Sequence, residues 1–240
     1  MNHPNSILNL RQQTLAQSTR TFRARGGKVV RCPDCIMPQG DCICADRPRV
    51  TSTSAFCFLL YQGEAYKPSN TGRLICDVVA DNHAFLWDRT RPDPALLALL
   101  KDPRYAPVVV FPHEYAEAER CIAHPRQVPA VLDGKKPLFV MLDGTWREAK
   151  KMFRSPYLAT LPVLGIQPQQ ASAYLMRDAA LSHQLCTAEV GIAVLRLLQD
   201  TNAADALADY FALFCRRYTV VRPHLLEKVR ATNGLPVPQG

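Results

Sequence analysis

The sequence predicts an α/β fold built on a mostly parallel sheet. Short apolar segments typical of buried strands alternate with segments of helical spacing, as in proteins whose parallel strands are joined by helices. Hydrophobic residues make up 48% of the chain and charged residues 21%, which provides for a sizeable core and excludes wholesale disorder. At 240 residues the chain suits one large domain with a small appendage. We predict an N-terminal helix and metal-binding knuckle over residues 1–50 and the main domain over 51–240.

The elements of the first half follow from composition and from polar or proline residues at their ends. A short apolar run with aromatic residues is typical of a buried strand, a polar residue caps the helix that follows it, and proline suits the first helical turn. These rules predict a polar helix over 6–20, a strand over 55–61, a helix capped by Asn70 or Thr71 that runs to Val79, a strand over 84–87 and a helix over Pro94–Lys101.

The second half continues the alternation and ends in two helices. Apolar side chains spaced i, i+3, i+4 and i+7 from Val190, and again from Leu207, indicate helices whose apolar stripes face the core. Before them the predicted elements are a strand over 107–111, a helix around 115–122, a strand over 138–142, a helix over 145–154 and a last strand over 162–166.

Positive charge is concentrated near the N-terminus. The formal net charge is +8, and residues 1–50 hold eight basic and three acidic side chains. Such a patch suits a polyanion, of which nucleic acid is the commonest, although a solvated basic face has the same composition. The side chains that we assign to nucleic-acid binding are Arg20, Arg23, Arg25, Lys28, Arg31 and Lys67.

Four of the nine cysteines form a knuckle of the pattern C-x2-C, six residues, C-x-C. Four thiolates at this spacing can close a tetrahedral zinc site without an open ligand position. An iron–sulfur cluster takes the same ligand set, and four free thiols in a loop are the other alternative. We predict a structural zinc ion held by Cys32, Cys35, Cys42 and Cys44.

Absent features narrow the class of protein. The N-terminus lacks the basic start and apolar stretch of a signal peptide, and no apolar run approaches the ~18 residues of a membrane-spanning helix. We therefore expect a cytoplasmic protein without a membrane partner. There is no G-x-G-x-x-G after a strand, no P-loop, no H-E-x-x-H and no G-x-S-x-G, so the corresponding nucleotide-binding, metalloprotease and hydrolase sites are not supported.

The strongest candidate for an active site follows the apolar segment 137–142. Asp143 ends this predicted strand, and ligands of open α/β sheets bind beyond the carboxyl ends of strands. A carboxylate there can orient or deprotonate a substrate, and Trp146 offers a face on which a base can stack. The structural alternative is that Thr145 and Glu148 form a capping box and that Trp146 belongs to the core.

Two further segments combine polar residues with a predicted helix start. Residues 67–74 (KPSNTGRL) can bind a carboxylate or phosphate, or can merely cap a helix. At 185–190 we predict that Thr187 caps the helix and that Glu189 complements the helix dipole.

These segments, in this order, resemble the DTW-domain family. The run LDGTW at 142–146 resembles its D-x-T-W signature, and the likeness covers nearly the whole chain. Within the family the chain resembles bacterial tRNA-uridine aminocarboxypropyltransferases. The other matching segments are the cysteine knuckle, KPSNTGRL at 67–74, VVFP at 109–112, AKKMFR at 149–154, and residues 174–177 and 186–190.

The resemblance implies an S-adenosylmethionine-dependent transferase that acts on tRNA. It would move the 3-amino-3-carboxypropyl group to N3 of a uridine in the variable loop and release methylthioadenosine. The implied fold is similar to that of the SPOUT methyltransferases, with helices on both faces of the sheet and a C-terminal trefoil knot. The basic side chains assigned above would then contact tRNA.

The resemblance also assigns roles to individual residues. Asp143 is the candidate catalytic base, although it can instead only accept a hydrogen bond from N3–H. A basic side chain, Arg73 or Lys67, is expected to hold the carboxylate of the transferred group. The residues expected to bind S-adenosylmethionine are Leu142, Thr145, Trp146, Leu185, Thr187, Glu189, Asn70, Thr71 and Arg73.

Two alternatives remain open at the level of sequence. A SPOUT-like RNA methyltransferase would use the same cofactor but release S-adenosylhomocysteine. A non-catalytic zinc-knuckle protein would bind RNA without the cofactor.

Overall fold

The computed structural model describes residues 5–18, 29–166 and 185–220. The helices are α1 (Ser6–Ala16), α2 (Gly72–Val78), α3 (Pro94–Lys101), α4 (Val128–Leu132), α5 (Trp146–Phe153), α6 (Thr187–Leu197) and α7 (Thr201–Val220). The strands are β1 (Ala55–Leu60), β2 (Asn82–Leu86), β3 (Tyr105–Val110), β4 (Lys136–Asp143) and β5 (Val163–Leu164). The predicted α/β class is confirmed.

The five strands form one sheet in the order β2-β1-β4-β3-β5, and every strand pair is parallel. β4 is the central strand, bordered by β1 and β3. Nearly every residue of β1 and β4 is buried, which is typical of parallel strands covered on both faces. This burial explains why both strands are continuous apolar runs in the sequence.

Alternate side chains of each strand enter two separate hydrophobic clusters. Phe56, Phe58 and Leu60 belong to the cluster that contains residues of α1, α2, α6, α7 and the knuckle. Cys57 and Leu59 belong to the opposite cluster, with residues of α3 and α5. Because successive side chains of a strand point to opposite faces, helices cover both faces of the sheet, as predicted.

One predicted helix is wrong. The segment 115–122 has no α-helix, and instead contains 3-10 turns at His113–Tyr115 and Ala118–Arg120. After the second turn the chain pairs with the sheet edge, where the Ile122 backbone N–H donates to the Val163 carbonyl at 2.8 Å. Tertiary pairing with β5 therefore replaces the helical hydrogen bonds. The five-residue α4 was not predicted.

The predicted end of the N-terminal helix and the predicted C-terminal knot both involve residues outside the described part of the chain. The N-terminal helix ends at Ala16, short of the predicted residue 20, and the residues from 19 to 28 lie outside the described part. The chain between β5 and α6 also lies outside it, over 167–184, as do residues 221–240. The C-terminal knot and the SPOUT-like assignment stay predictions.

Candidate functional site

Asp143 is the last residue of the central strand, and its side chain is 1% exposed. The sheet holds its backbone, because Asp143 is opposite Leu60 in the β1–β4 register and its carbonyl accepts the Tyr61 N–H at 2.9 Å. The carboxylate therefore lies at the carboxyl edge of the sheet, which is the edge where parallel α/β proteins bind ligands.

Three segments distant in sequence meet at the Asp143 carboxylate. The Asn70 amide Nδ2 donates to Oδ2 at 2.9 Å, and the Thr187 hydroxyl lies 3.4 Å from Oδ1. Gly72 packs so closely that a Cβ added to it would lie 2.7 Å from Oδ2. The structure thus brings together the sequence-predicted residues of 67–74, 142–146 and 185–190.

Thr71 joins the first turns of α2 and α6. It is the N-cap residue of α2, but its hydroxyl makes no cap bond there. Instead, the Ala188 backbone N–H donates to Thr71 Oγ1 at 3.2 Å, so Thr71 satisfies a first-turn N–H of α6. Within α2 the corresponding bond comes from Asn70, whose Oδ1 accepts the Arg73 N–H at 3.2 Å.

The predicted cap of α6 is wrong. Cys186, not Thr187, is the N-cap residue, and Glu189 Oε2 accepts the Cys186 N–H at 2.8 Å. Thr187 is the first helical residue, which leaves its hydroxyl directed at Asp143. Glu189 therefore caps the helix through a direct hydrogen bond, beyond the dipole interaction that the sequence predicts.

The capping box at the start of α5 is confirmed. Thr145 is the N-cap residue, and its backbone N–H and its hydroxyl both donate to Glu148 Oε2 at 2.7 Å. This pair is local, and the Thr145 side chain is exposed. It sets the direction in which α5 leaves the strand end at Asp143.

Trp146 is half-buried in an aromatic cluster between the ends of β3 and β4. Its ring stacks on Phe111 with centroids 5.3 Å apart, and it meets Tyr115 edge-on at 5.5 Å. Lys150 Nζ lies 5.7 Å from the centroids of both Trp146 and Tyr115. The tryptophan is thus part of the packing and also borders the surface. Leu142 packs in the hydrophobic cluster of the same face.

Arg73 is completely buried, and its guanidinium lies beside α7. Its guanidinium lies over the Phe214 ring at 5.0 Å, and Nη2 donates to the Pro68 carbonyl at 3.4 Å. Nε and Nη1 have no hydrogen-bond partner among the described residues. The other predicted carboxylate anchor, Lys67, forms an ion pair with Glu64.

The four knuckle cysteines form the metal-ligand cluster that the sequence predicts. Their sulfur atoms all lie within 4.8 Å of one another. Burial alone would raise the pKa of Cys32, but hydrogen bonds from the backbone N–H groups of Cys35 and Asp34 and from the Cys42 and Cys44 side chains together lower that pKa to about 7. A set of four clustered sulfur donors fits zinc.

Two arginines attach the knuckle to the main domain. Arg47 Nε pairs with Asp77 of α2 at 3.1 Å, and Arg217 of α7 donates to the Cys42 carbonyl at 2.9 Å. Asp77 also accepts from Tyr210 at 3.2 Å. Burial raises the pKa of Asp77, and the Arg47 charge opposes that rise. None of these contacts was predicted, because each joins residues far apart in the chain.

Of the predicted RNA-binding residues, Arg31 and Lys67 lie in the described part of the chain. Arg31 donates to the Ile36 carbonyl at 3.1 Å and so stabilises the knuckle loop. Four others, Arg20, Arg23, Arg25 and Lys28, lie outside the described residues. Leu185 is half-buried just before α6.

The sequence model of the DTW domain matches residues 29–219, from the knuckle to the end of α7. The chain belongs to the DTW-domain family. This membership is consistent with a tRNA-modifying transferase, and Asp143, Thr145 and Trp146 are its D-x-T-W residues. No solved structure matches the chain.

Two residues of this DTW domain were missed as site residues. Gly72 carries no signal of its close approach to Asp143 beyond its place at a helix start, because the approach depends on how α2 meets β4. Tyr115 was assigned to a helix that does not form.

Within the described ranges, no helix has both the length and the apolar character needed to cross a membrane.

Proposed function

We propose that this protein transfers the 3-amino-3-carboxypropyl group of S-adenosylmethionine to N3 of a uridine in the tRNA variable loop, releasing methylthioadenosine. One observation carries the proposal. The D-x-T-W aspartate is enclosed at the carboxyl edge of a parallel sheet by Asn70 and Thr187, which come from the two other predicted cofactor-binding segments. The SPOUT-like knot is part of the same proposal.

The residues present fit S-adenosylmethionine. The segments around Asn70, Asp143 and Thr187 meet at one edge of the sheet, which suits a cofactor that contacts several loops. Arg73 is a buried cation with two N–H groups that lack a described partner, and a carboxylate is the group that satisfies such donors best. We assign Arg73 to the carboxylate of the transferred group.

The chemistry is a displacement at carbon. The sulfonium of the cofactor activates the carbon atoms bonded to it. N3 of the uridine forms a bond to the first methylene of the aminocarboxypropyl group, the C–S bond breaks, and sulfur keeps the electron pair. Since three carbons are attached to one sulfur, the protein must aim the correct one at N3.

Asp143 receives the N3–H. Asn70 holds Oδ2 through a hydrogen bond of 2.9 Å, whereas the Thr187 contact to Oδ1 is long at 3.4 Å. A substrate N–H donor therefore replaces the Thr187 contact at lower cost than the Asn70 bond. In this position Asp143 accepts the hydrogen bond and takes the proton as the N–C bond forms.

The knuckle supplies stability in this proposal. Zinc bound by Cys32, Cys35, Cys42 and Cys44 would hold a loop that is too short to form its own core. Arg47 and Arg217 then join that loop to α2 and α7.

The test is incubation of the full chain with unmodified tRNA and S-adenosylmethionine, followed by mass spectrometry of the nucleosides and of the cofactor product. We expect 3-(3-amino-3-carboxypropyl)uridine together with methylthioadenosine. Methylated nucleoside with S-adenosylhomocysteine would instead identify an RNA methyltransferase. RNA binding without any binding of the cofactor by calorimetry would identify a non-catalytic RNA-binding protein.

A further inference from the structure

The solvent face of α5 is basic along its whole length. Three basic side chains of α5 and that of its C-cap residue occupy positions i, i+3, i+4 and i+7. Together they span about 100° of the helix circumference. They are Arg147, Lys150, Lys151 and Arg154. Ala149, Met152 and Phe153 are buried on the opposite face. We call these four side chains the α5 basic face.

Acidic side chains do not neutralise this face. Among the described residues, none of its four side chains forms an ion pair. The single acid of α5, Glu148, is engaged by Thr145 at the N-cap. Arg147, Lys151 and Arg154 are exposed, so their charges are available to a solvent-borne anion.

The end of α5 is fastened to the turn after β2. Ser155 accepts from the Trp87 indole N–H at 2.9 Å, and the Tyr157 hydroxyl donates to the Asp88 carbonyl at 3.1 Å. These two bonds fasten the turn after β2 against the end of α5. That turn presents exposed Arg89 and Arg91, together with the acids Asp88 and Asp93. The unpaired positive charge is therefore concentrated on α5 itself, next to the D-x-T-W strand end.

Aromatic side chains border the same face. Lys150 lies over Tyr115 and Trp146, and Tyr115 is 37% exposed. Exposed aromatic rings beside cationic side chains are typical of surfaces that bind unpaired RNA, where bases stack and phosphates pair with Lys or Arg. Neither a bare phosphate nor an acidic protein segment supplies the nucleobases that stack on such rings.

We propose that the α5 basic face binds the phosphate backbone of the RNA substrate next to the modified nucleotide, an inference that rests on the proposed function. Arg147, Lys151 and Arg154 contact successive phosphates. Because α5 begins three residues after Asp143, this face holds the RNA beside the reacting base. The partner contact thus lies on the main domain, apart from the arginines of residues 1–50.

The test compares two double variants in tRNA-binding titrations at several salt concentrations, without cofactor. R147A/K151A removes two charges from the α5 basic face and keeps a strong helix former at both positions. K101A/K135A removes two exposed lysines at the opposite, amino-terminal edge of the sheet, and is the matched control.

We expect R147A/K151A to bind unmodified tRNA about tenfold more weakly near 0.1 M salt, and to lower the slope of log K against log salt by about 1.4, since each phosphate contact to a single strand contributes ~0.7. K101A/K135A should match the wild type in both quantities. Calorimetry with S-adenosylmethionine and thermal unfolding should give wild-type values for both variants.

Wild-type tRNA affinity and slope for R147A/K151A would overturn the inference and leave the transferase proposal intact. Failure of the transferase proposal alone would give a different result. If the wild type forms no aminocarboxypropyl product but R147A/K151A still loses tRNA affinity and salt slope, the proposed reaction fails and the RNA-binding face stands.

Discussion

The two helices that begin beside Asp143 are capped in the same way but held in different ways. Each has a glutamate at the third helical position that accepts the N–H of the N-cap residue, Glu148 in α5 and Glu189 in α6. The α5 cap is complete within four residues and lies at the surface. The first turn of α6 also depends on Thr71 and Asp143, which lie far away in sequence.

This difference shows which part of the site is stabilised by local contacts alone. α5 carries its own cap, so its start does not depend on the rest of the site. α6 and α2 share hydrogen bonds with the strand end, so the position of each depends on the others. The following variants test that distinction.

The largest effect is expected for Asp143→Asn. Because the amide cannot take the N3 proton, we expect product formation to fall by about 10²- to 10⁴-fold, the range for loss of a general base. S-adenosylmethionine binding should remain close to wild type in calorimetry. Asp205→Asn, at an exposed carboxylate of α7, is the control. Near-normal product formation by Asp143→Asn would remove the catalytic assignment.

A second variant, Gly72→Ala, disturbs the junction between α2 and β4. Its Cβ would lie 2.7 Å from Asp143 Oδ2 and 3.3 Å from Phe58, so we expect both lower activity and a destabilisation of about 1–3 kcal/mol, the usual cost of overpacking. Chemical denaturation measures the free energy of unfolding. Gly40→Ala is the control, because its Cβ would meet nothing within 4 Å. If both variants unfold alike, the close approach at Gly72 has no energetic consequence.

The smallest effects are expected from the paired variants Thr71→Val and Thr145→Val, which compare the two caps directly. Thr71→Val leaves the N–H of fully buried Ala188 without its acceptor, and we expect a cost of about 1–2 kcal/mol. Thr145 is exposed, so water replaces its hydroxyl, and we expect a cost at the lower end of the range for a lost N-cap, about 0.5 kcal/mol. Thr71→Ser, which keeps the hydroxyl, should restore stability. Equal costs for the two valine variants would contradict the distinction.

Features that depend on neighbouring residues were predictable from the sequence. The boundaries of α3 matched because Asp93 caps the helix and proline opens it. The Thr145–Glu148 capping box and the four-cysteine knuckle also matched, because both are complete within short spans. β1 and β4 were predictable because a parallel strand buried on both faces needs a continuous apolar run.

The helix predicted around 115–122 and the cap assigned to Thr187 failed for one shared reason. In each case a distant segment supplies a better partner than the local one. Ile122 bonds to the edge strand at Val163, and the Thr187 hydroxyl turns to Asp143. Nothing in the local spacing signals either partner.

The sequence by itself determined the fold class, the knuckle ligands, the D-x-T-W segment and the family, because these are properties of composition and short spacing. Only the tertiary structure decided that Asn70, Gly72 and Thr187 surround Asp143, and that Arg73 is buried against α7. The reason is the parallel sheet, whose crossover connections bring the carboxyl ends of strands to one edge whatever their separation in the chain.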